Sequence, residues 1–430
     1  MPSKANDPNI KTWLDIPKIT DFPIQNIPFG VFLTRDDIIT IGTRIGDFAI
    51  DLGALHQLGY FEGIPLTDDI FLQDTLNDFI ADGRKTWRAV RERISSIFEA
   101  NNNVLRDNEE HRDRVIFALN EVEMQLPVQV GDYTDFYSSK EHATNVGKIF
   151  RGAENALPPN WMHMPIAYHG RSSSIIPSGI PIHRPQGQKL PNGASEPILG
   201  PSRSVDFELE MAFITTAANE FGQPIPVDEA EDYIFGMVLF NDWSARDIQK
   251  WEYQPLGPFL GKNFASTVSP WIVTLDALEP FRTKSPAPEK KILPYLDVTG
   301  DKTFDINLEV SIKPDGKGET VVTRSNFKHL YWNMSQQLAH HTINGCPVES
   351  GDMMGSGTIS GPKPESYGSM LELSWKGSKP VKLNDGGDRK YIENNDTVII
   401  RGFCEKKGTT RIGFGEVSTK LLPVFKPKKK

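Results

Sequence analysis

Apolar and polar residues alternate along most of this chain with the two-residue period of β-strands. Between residues 29 and 52, "FGVFLT" and "RIGDFAIDL" interleave the two classes, with glycines at turns, and predict short strands. The period then lengthens. Trp87, Val90, Ile94, Ile97 and Phe98 recur three and four apart with Arg and Glu between them, which predicts a helix. The segment "EVEMQLPVQVG" (121–131) reads as the exit from a first unit, which divides the chain into residues 1–127 and 128–430. Beyond it the chain is rich in strands and turns. Two Pro/Gly-rich connections, 184–201 and 279–294, read as surface loops. One helix interrupts, with Ser325 as N-cap, a run through "FKHLYWNMSQQLAHH" and a stop at Asn344-Gly345. "SMLELSW", "DTVIIRGFC" and "RIGFGEV" return to strand patterning. The whole predicts a mostly β protein with a few helices and no internal repeat.

One strand carries a chemical question. In "FELEMAF" (207–213), Phe207, Leu209, Met211 and Phe213 share one face, so Glu208 and Glu210 share the other. Two like charges whose Cα atoms are roughly 6.5–7 Å apart either face water or chelate a divalent cation. "GSMLELSW" repeats the pattern, with Leu371, Leu373 and Trp375 on one face and Glu372 alone on the other.

Composition narrows the class. Apolar residues at 38% and charged residues at 24% describe an ordinary globular chain of 430 residues, long enough for two domains. No apolar run approaches membrane-spanning length, and "MPSKANDPNI" lacks the apolar core of a signal peptide. With only Cys346 and Cys404, a disulfide framework is excluded, and a reducing cytoplasm is the expected compartment. A net charge of −9 argues against nucleic acid as a general partner, and the lysine tail "KPKKK" leaves the remainder more acidic still.

Several motifs fail on inspection. "GPFLGKN" (257–263) has the wrong spacing for a phosphate-binding P-loop, with Asn263 in place of Ser or Thr and Pro258 lacking a donor. No G-x-S-x-G elbow occurs. His340 and His341 are adjacent on a predicted helix and point about 100° apart, so a core or surface role suits both. Three segments remain: the loop-rich stretch 131–151, "FNDWSARDIQKWEYQPLGPFLGK" (240–262) and "GSMLELSW". If the middle of the second is helical, Asp242, Arg246 and Gln249 share one face. Together they contain the parts of a metal-assisted hydrolase without a protein nucleophile: hard oxygen ligands, a histidine near a carboxylate, and Arg, Gln and Lys for an oxyanion. Taken singly, each part has a plainer reading. Asp135 and Asp242 could be turn or cap residues, His142 a surface histidine, Glu372 the wet side of a strand, and Tyr137, Tyr168 and Tyr253 half-buried aromatics.

Longer motifs decide between these readings. "DFPIQNIPFGVF", "GDYTDFYSS", "ELEMAF", "NDWSARDIQ", "WEYQPLGPFLGK" and "GSMLELSWKG" resemble the fumarylacetoacetase (fumarylacetoacetate hydrolase) family from residue 21 to residue 417. The resemblance implies a small N-terminal SH3-like β-barrel domain, a larger C-terminal β-roll domain and a homodimer. It implies hydrolysis of a carbon–carbon bond, giving fumarate and acetoacetate, at the end of tyrosine and phenylalanine breakdown. It also implies a calcium or magnesium ion on Asp135, Glu208, Glu210 and Asp242, with His142 as general base and Glu372 as its orienting carboxylate. Arg246, Gln249 and Lys262 take the place of the oxyanion-stabilising trio; Tyr137, Arg151, Tyr168, Gln249, Tyr253 and Thr358 take that of substrate contacts. A second cation near Lys262 and a following threonine is also implied, but Ser266 stands at that threonine's position here. Two other readings stay open: an acylpyruvate hydrolase or oxaloacetate decarboxylase with the same acidic cluster, and a non-catalytic calcium-stabilised binding protein.

Overall fold

In the computed structural model, which describes residues 3–216 and 219–426, the chain is mostly sheet with a few short helices. The lysine tail noted above lies largely outside the described residues. Strands Phe29–Leu33, Ile39–Ile45 and Phe48–Asp51 form an antiparallel meander. Ile116–Ala118 and Glu123–Met124 add its two edge strands to give a curled five-stranded sheet, in keeping with the barrel-like N-terminal unit that the resemblance implies. The tight turn between the second and third strands needs Gly46, whose φ of +59° is strained for a side chain. Helix Arg84–Phe98 buries the predicted stripe, Trp87, Val90, Ile94, Ile97 and Phe98, against this unit.

The second part is a roll of two sheets. Its central eight-stranded sheet runs, edge to edge, through Ala167–His169, Tyr133–Phe136, Met353–Gly355, Leu209–Thr215, Ile234–Asp242, Ser266–Val268 and Ile175–Pro177, with Val273–Thr274 also pairing to Ile234–Asp242. A five-stranded sheet built on Asn307–Lys313, Thr397–Cys404 and Ile412–Leu422 covers one side of it. Alternation along Leu209–Thr215 sorts the two faces. Leu209, Met211 and Phe213 pack with Leu308, Val310, Ile400 and Phe414 of the second sheet. Ala212 and Ile214 face the other way and join Phe29, Val31, Ile50 and Trp87 of the N-terminal unit. The face that carries Glu208 and Glu210 is therefore sealed, only a few residues further on, by the N-terminal core.

Four local expectations change. The helix near residue 330 begins at Asn333, not Ser325: Asn333 Oδ1 accepts from Gln336 N–H and Gln336 Oε1 from Asn333 N–H, both at 3.1 Å, a reciprocal capping box. Ser325 lies instead in the strand Thr320–Asn326. "SMLELSW" is not a strand; Met370–Leu373 is one helical turn capped by Ser369. Residues 131–151 are not loop-rich: the strand Tyr133–Phe136 feeds helix Lys140–Arg151, capped by Ser139. Within 184–201, Gln186–Lys189 and Ile198–Pro201 pair as a hairpin. Among the described residues no helix is long and apolar enough to cross a membrane.

Candidate metal centre

Strand register assembles four carboxylates. Asp135 pairs with Gly355, Gly355 with Ala212, and Glu210 with Phe240, two residues before Asp242 at the strand end. Gly355 leaves the space between them open: a Cβ there would meet Asp135 Oδ1 at 2.9 Å and Glu210 Oε2 at 3.2 Å. Asp135, Glu208, Glu210 and Asp242 each offer an oxygen within 4.8 Å of the others. All four are buried, at 3%, 4%, 0% and 1% exposure, so Glu208 and Glu210 do not face water.

The electrostatics of this cluster are unbalanced. Burial, together with Asp242, pushes the Asp135 carboxyl well above the usual range. Burial, Asp135 and Glu208 do the same to Glu210. Burial alone would raise Glu208 too, but Lys262 and Arg246 pull it well below its usual value. Lys262 Nζ lies 2.5 Å from Glu208 Oε2 and 2.6 Å from Asp242 Oδ2. Tyr168 OH donates to Asp242 Oδ2 at 2.9 Å, and Ser266 Oγ to Asp242 Oδ1 at 3.0 Å. Asp135 Oδ1 and Glu210 Oε1, by contrast, are buried with no hydrogen-bond donor among the described residues. Buried carboxylate oxygens left without donors fit a hard, oxygen-seeking divalent cation.

Beside the cluster sits a buried pair. Ser139 Oγ accepts the His142 N–H at 3.1 Å and starts the helix that presents His142. His142 Nδ1 is 2.6 Å from Glu372 Oε2. The carboxylate is further held by Asn145 Nδ2 at 2.9 Å, Ser360 Oγ at 2.8 Å and Ser369 Oγ at 3.0 Å. Burial would raise Glu372; His142 and these donors keep it below the usual range. With Nδ1 engaged, Nε2 is the nitrogen left for proton transfer.

A third group supplies positive charge. Arg246 opens helix Arg246–Glu252, with Nη1 at 2.6 Å from Glu208 Oε1 and 3.3 Å from Gln249 Oε1. Arg246 and Gln249 do share a helical face, but Asp242 does not belong to it. Asp242 ends its strand, and Ser244–Ala245 intervenes before the helix starts.

The expected substrate contacts fall into two sets. The Tyr137 ring stands edge-on to His142 at 5.3 Å between centroids. Thr358 is buried, and its Oγ1 has no partner among the described residues. Arg151 and Tyr253 lie outside the buried cluster. The Arg151 guanidinium donates to the carbonyls of Asn155 and Ala156 at 3.1 and 2.7 Å, and Tyr253 is 45% exposed. The rejected P-loop is occupied from within: the Glu252 carboxylate accepts the N–H groups of Phe259, Leu260 and Gly261 at 2.7–3.0 Å. His340 and His341 make hydrogen bonds to Tyr295 and Thr134, away from the acids.

Sequence reading missed Asp206, Asn145, Ser360 and Ser369. Asp206 carried a signal. In "VDFELE" the acidic alternation begins two residues earlier than the stretch considered, so Asp206, Glu208 and Glu210 follow one period of two. The other three are hydroxyl and amide donors whose convergence on Glu372 needs the tertiary fold.

The family described as "Fumarylacetoacetase N-terminal" matches residues 25–127, and "Fumarylacetoacetate (FAA) hydrolase C-terminal" matches residues 132–420. The chain is 50% identical to the fumarylacetoacetase of Arabidopsis thaliana over 417 residues, covering 96% of this chain and 99% of that one. It is 51% identical to that of Dictyostelium discoideum over 423 residues, covering 97% and 99%. Among solved structures, the fumarylacetoacetate hydrolase of the psychrophilic Exiguobacterium antarcticum has a similar fold, with a TM-score of 0.51, 15% identity, and coverage of 92% and 99%.

Proposed function

The chain belongs to the fumarylacetoacetase family, and on that premise we propose that it hydrolyses 4-fumarylacetoacetate to fumarate and acetoacetate, the last step of tyrosine and phenylalanine breakdown. The observation that carries this reading is the buried His142–Glu372 pair beside four clustered carboxylates, two of which, Asp135 and Glu210, keep a donorless oxygen. Such a pair can activate water where no protein nucleophile exists.

His142 Nε2 accepts a proton from water, and the resulting hydroxide adds to the fumaryl-side carbonyl. Arg246, Gln249 and Lys262 hold the oxyanion that forms, being preorganised donors in a site shielded from water. The carbon–carbon bond then breaks; its electron pair stays on the acetoacetyl carbon, which takes up a proton, while the fumaryl carbon keeps the water oxygen. A calcium or magnesium ion held by Asp135, Glu208, Glu210 and Asp242 would act as a Lewis acid that polarises the substrate's carbonyl oxygens and eases departure of that carbon. Ser266, hydrogen-bonded to Asp242, keeps the oxygen that a second cation near Lys262 would use. Tyr137 and Thr358 line the buried side, with Tyr168 on Asp242, while Arg151 and Tyr253 meet the substrate from the outer side.

The same reading includes a division of the chain into domains at residues 127 and 128. It also includes a homodimer, supported by exposed apolar side chains on one segment: Trp251 at 41%, Leu256 at 97%, Phe259 at 66% and Leu260 at 43%. A cytoplasmic location suits its two free cysteines. A small molecule rather than nucleic acid or a membrane is the partner, in keeping with the net charge of −9. Loss of fumarylacetoacetate absorbance on mixing with the protein and magnesium tests the reaction. Rapid turnover supports it. Preference for an acylpyruvate or oxaloacetate, or no turnover at all, would overturn it.

A further inference from the structure

A cavity of about 330 Å³ lies on the outer side of Arg246, and its wall is strongly basic. Arg203, Lys250 and Lys376 line it, and none of these side chains has an acidic partner among the described residues. The one carboxylate in the wall, Asp247, is already engaged. It accepts from Ser202 Oγ at 2.5 Å, the Arg203 N–H at 2.8 Å and Lys189 Nζ at 3.3 Å. Phe150 and Tyr391 add aromatic surface, so the cavity offers positive charge beside an apolar wall.

Placement of Lys376 is costly to the backbone. Trp375 and Lys376 both occupy the left-handed region, at φ +48° and +58°, immediately before Gly377 at +79°. Two consecutive side-chain-bearing residues rarely take that conformation, and strain of this kind gathers at functional sites. The turn is fastened to the helical turn that carries Glu372: Lys376 N–H donates to the Leu371 carbonyl at 2.8 Å and Trp375 N–H to the Glu372 carbonyl at 3.0 Å. It sets Lys376 Nζ 4.9 Å from the centre of the Phe150 ring. Partial burial and nearby Lys250 lower the Lys376 ammonium's pKa, an unfavourable approach of like charges that a shared anion would relieve.

We propose that Arg203, Lys250 and Lys376 form an anion-capture subsite for a small dicarboxylate, which draws one carboxylate of the substrate toward Arg246 and retards escape of the fumarate product. The proposal rests on the reaction assigned above, since fumarylacetoacetate carries a carboxylate at each end. A basic cleft raises the encounter rate with anions, and the gain falls as salt screens it.

The experiment compares the wild type with Lys250→Gln/Lys376→Gln, Lys250→Arg/Lys376→Arg and Lys317→Gln/Lys382→Gln proteins, the last pair of lysines lying outside the cavity wall. The control of equal charge change is the Lys317/Lys382 pair; the arginine pair tests rescue. The pocket variant should lose roughly 5–10-fold in kcat/KM at low ionic strength, with the loss in KM, and its salt dependence should flatten. Competitive inhibition by fumarate should weaken in parallel, and the arginine pair should restore both. Unchanged kcat/KM, salt slope and fumarate inhibition would overturn the subsite. If the wild type does not turn over fumarylacetoacetate, the reaction assignment fails instead. Calorimetric binding of fumarate then decides the subsite separately: loss of binding in the pocket variant supports it, and retention overturns it.

Discussion

Asp206 and Arg246 are joined by a 2.8 Å hydrogen bond from Nε to Oδ2, with Asp206 fully buried. The same carboxylate accepts the N–H groups of Met370 and Leu371 at 2.7 and 3.0 Å. One side chain thus aligns the guanidinium beside Glu208 and anchors the helical turn that holds Glu372 against His142. Asp206→Asn replaces one acceptor oxygen by a donor, so either Arg246 or that turn loses its partner. The rate should fall about 10–100-fold, the range seen when partners that orient functional groups are removed. The pH profile should shift with it, because Glu372 loses its fixed position. A variant with an unaltered profile and only a lower melting temperature would reduce Asp206 to a folding role.

Glu372→Gln tests the base. The amide cannot sustain the charge that steadies a protonated His142, so kcat should fall by about 10²–10⁴-fold, the span of general-base catalysis. Metal content should be retained, since Glu372 contacts His142, Asn145, Ser360 and Ser369 and not the four-acid cluster. Loss of the ion with an intact pH profile would make Glu372 a ligand.

The donorless oxygens of Asp135 and Glu210 make cation binding measurable without turnover. Calcium or magnesium at a hundred times its dissociation constant should stabilise the fold by about 2.7 kcal/mol, raising the melting temperature. Glu210→Ala should abolish both that shift and activity. A cation-dependent shift that survives in Glu210→Ala, with normal turnover, would move the metal elsewhere.

Asp276 ties the N-terminal helix to the C-terminal part. Its carboxylate accepts from Arg88 Nη2 at 2.7 Å and from Arg84 Nη2 at 3.1 Å. Burial would raise the Asp276 pKa, but these arginines hold it below the usual carboxylate value. A depressed folded-state pKa stabilises above the unfolded value of about 4 and is lost as pH falls through the folded one. Asp276→Asn should therefore lower the melting temperature at pH 7, and the difference from wild type should shrink below about pH 4. A difference that stays constant down to pH 2 would show that charge is not what Asp276 contributes.

What the sequence revealed follows from how local each signal is. Alternation in "FELEMAF" located both glutamates on one face because a strand's period is independent of its surroundings. The stripe from Trp87 to Phe98 was equally self-contained. "SMLELSW" misled for the same reason: its alternation reads as strand, yet buried Asp206, 164 residues earlier than Met370, takes the first backbone donors and folds it as a helical turn. Ser325 precedes the same apolar run as Asn333 and reads as its cap; only the pairing of Ser325 with Leu308 commits it to a strand. Asp135, His142 and Glu372 stand out as candidates along the chain, but their roles rest on family resemblance; no spacing brings together residues that meet only across the roll.

Lys262 has two possible roles that one substitution separates. It lies between Glu208 and Asp242, at 2.5 and 2.6 Å, and their charges hold its ammonium well above the ordinary lysine pKa despite burial. It is thus a fixed positive charge among carboxylates, which serves both the acidic cluster and an oxyanion forming beside it. Lys262→Met keeps most of the stem and removes the charge. If the lysine were only a counter-ion, added calcium or magnesium would compensate for its loss, and kcat would recover at saturating cation. If it meets charge that develops during reaction, kcat should stay about 10²–10³-fold low at any cation concentration, as when other oxyanion donors are removed. KM should change much less, because the interaction is weaker before the carbonyl is attacked. The second outcome is expected, with the variant binding cation at least as tightly as the wild type, since four acids then face the ion with one competitor fewer. Full recovery of kcat on adding cation would reassign Lys262 to charge balance alone.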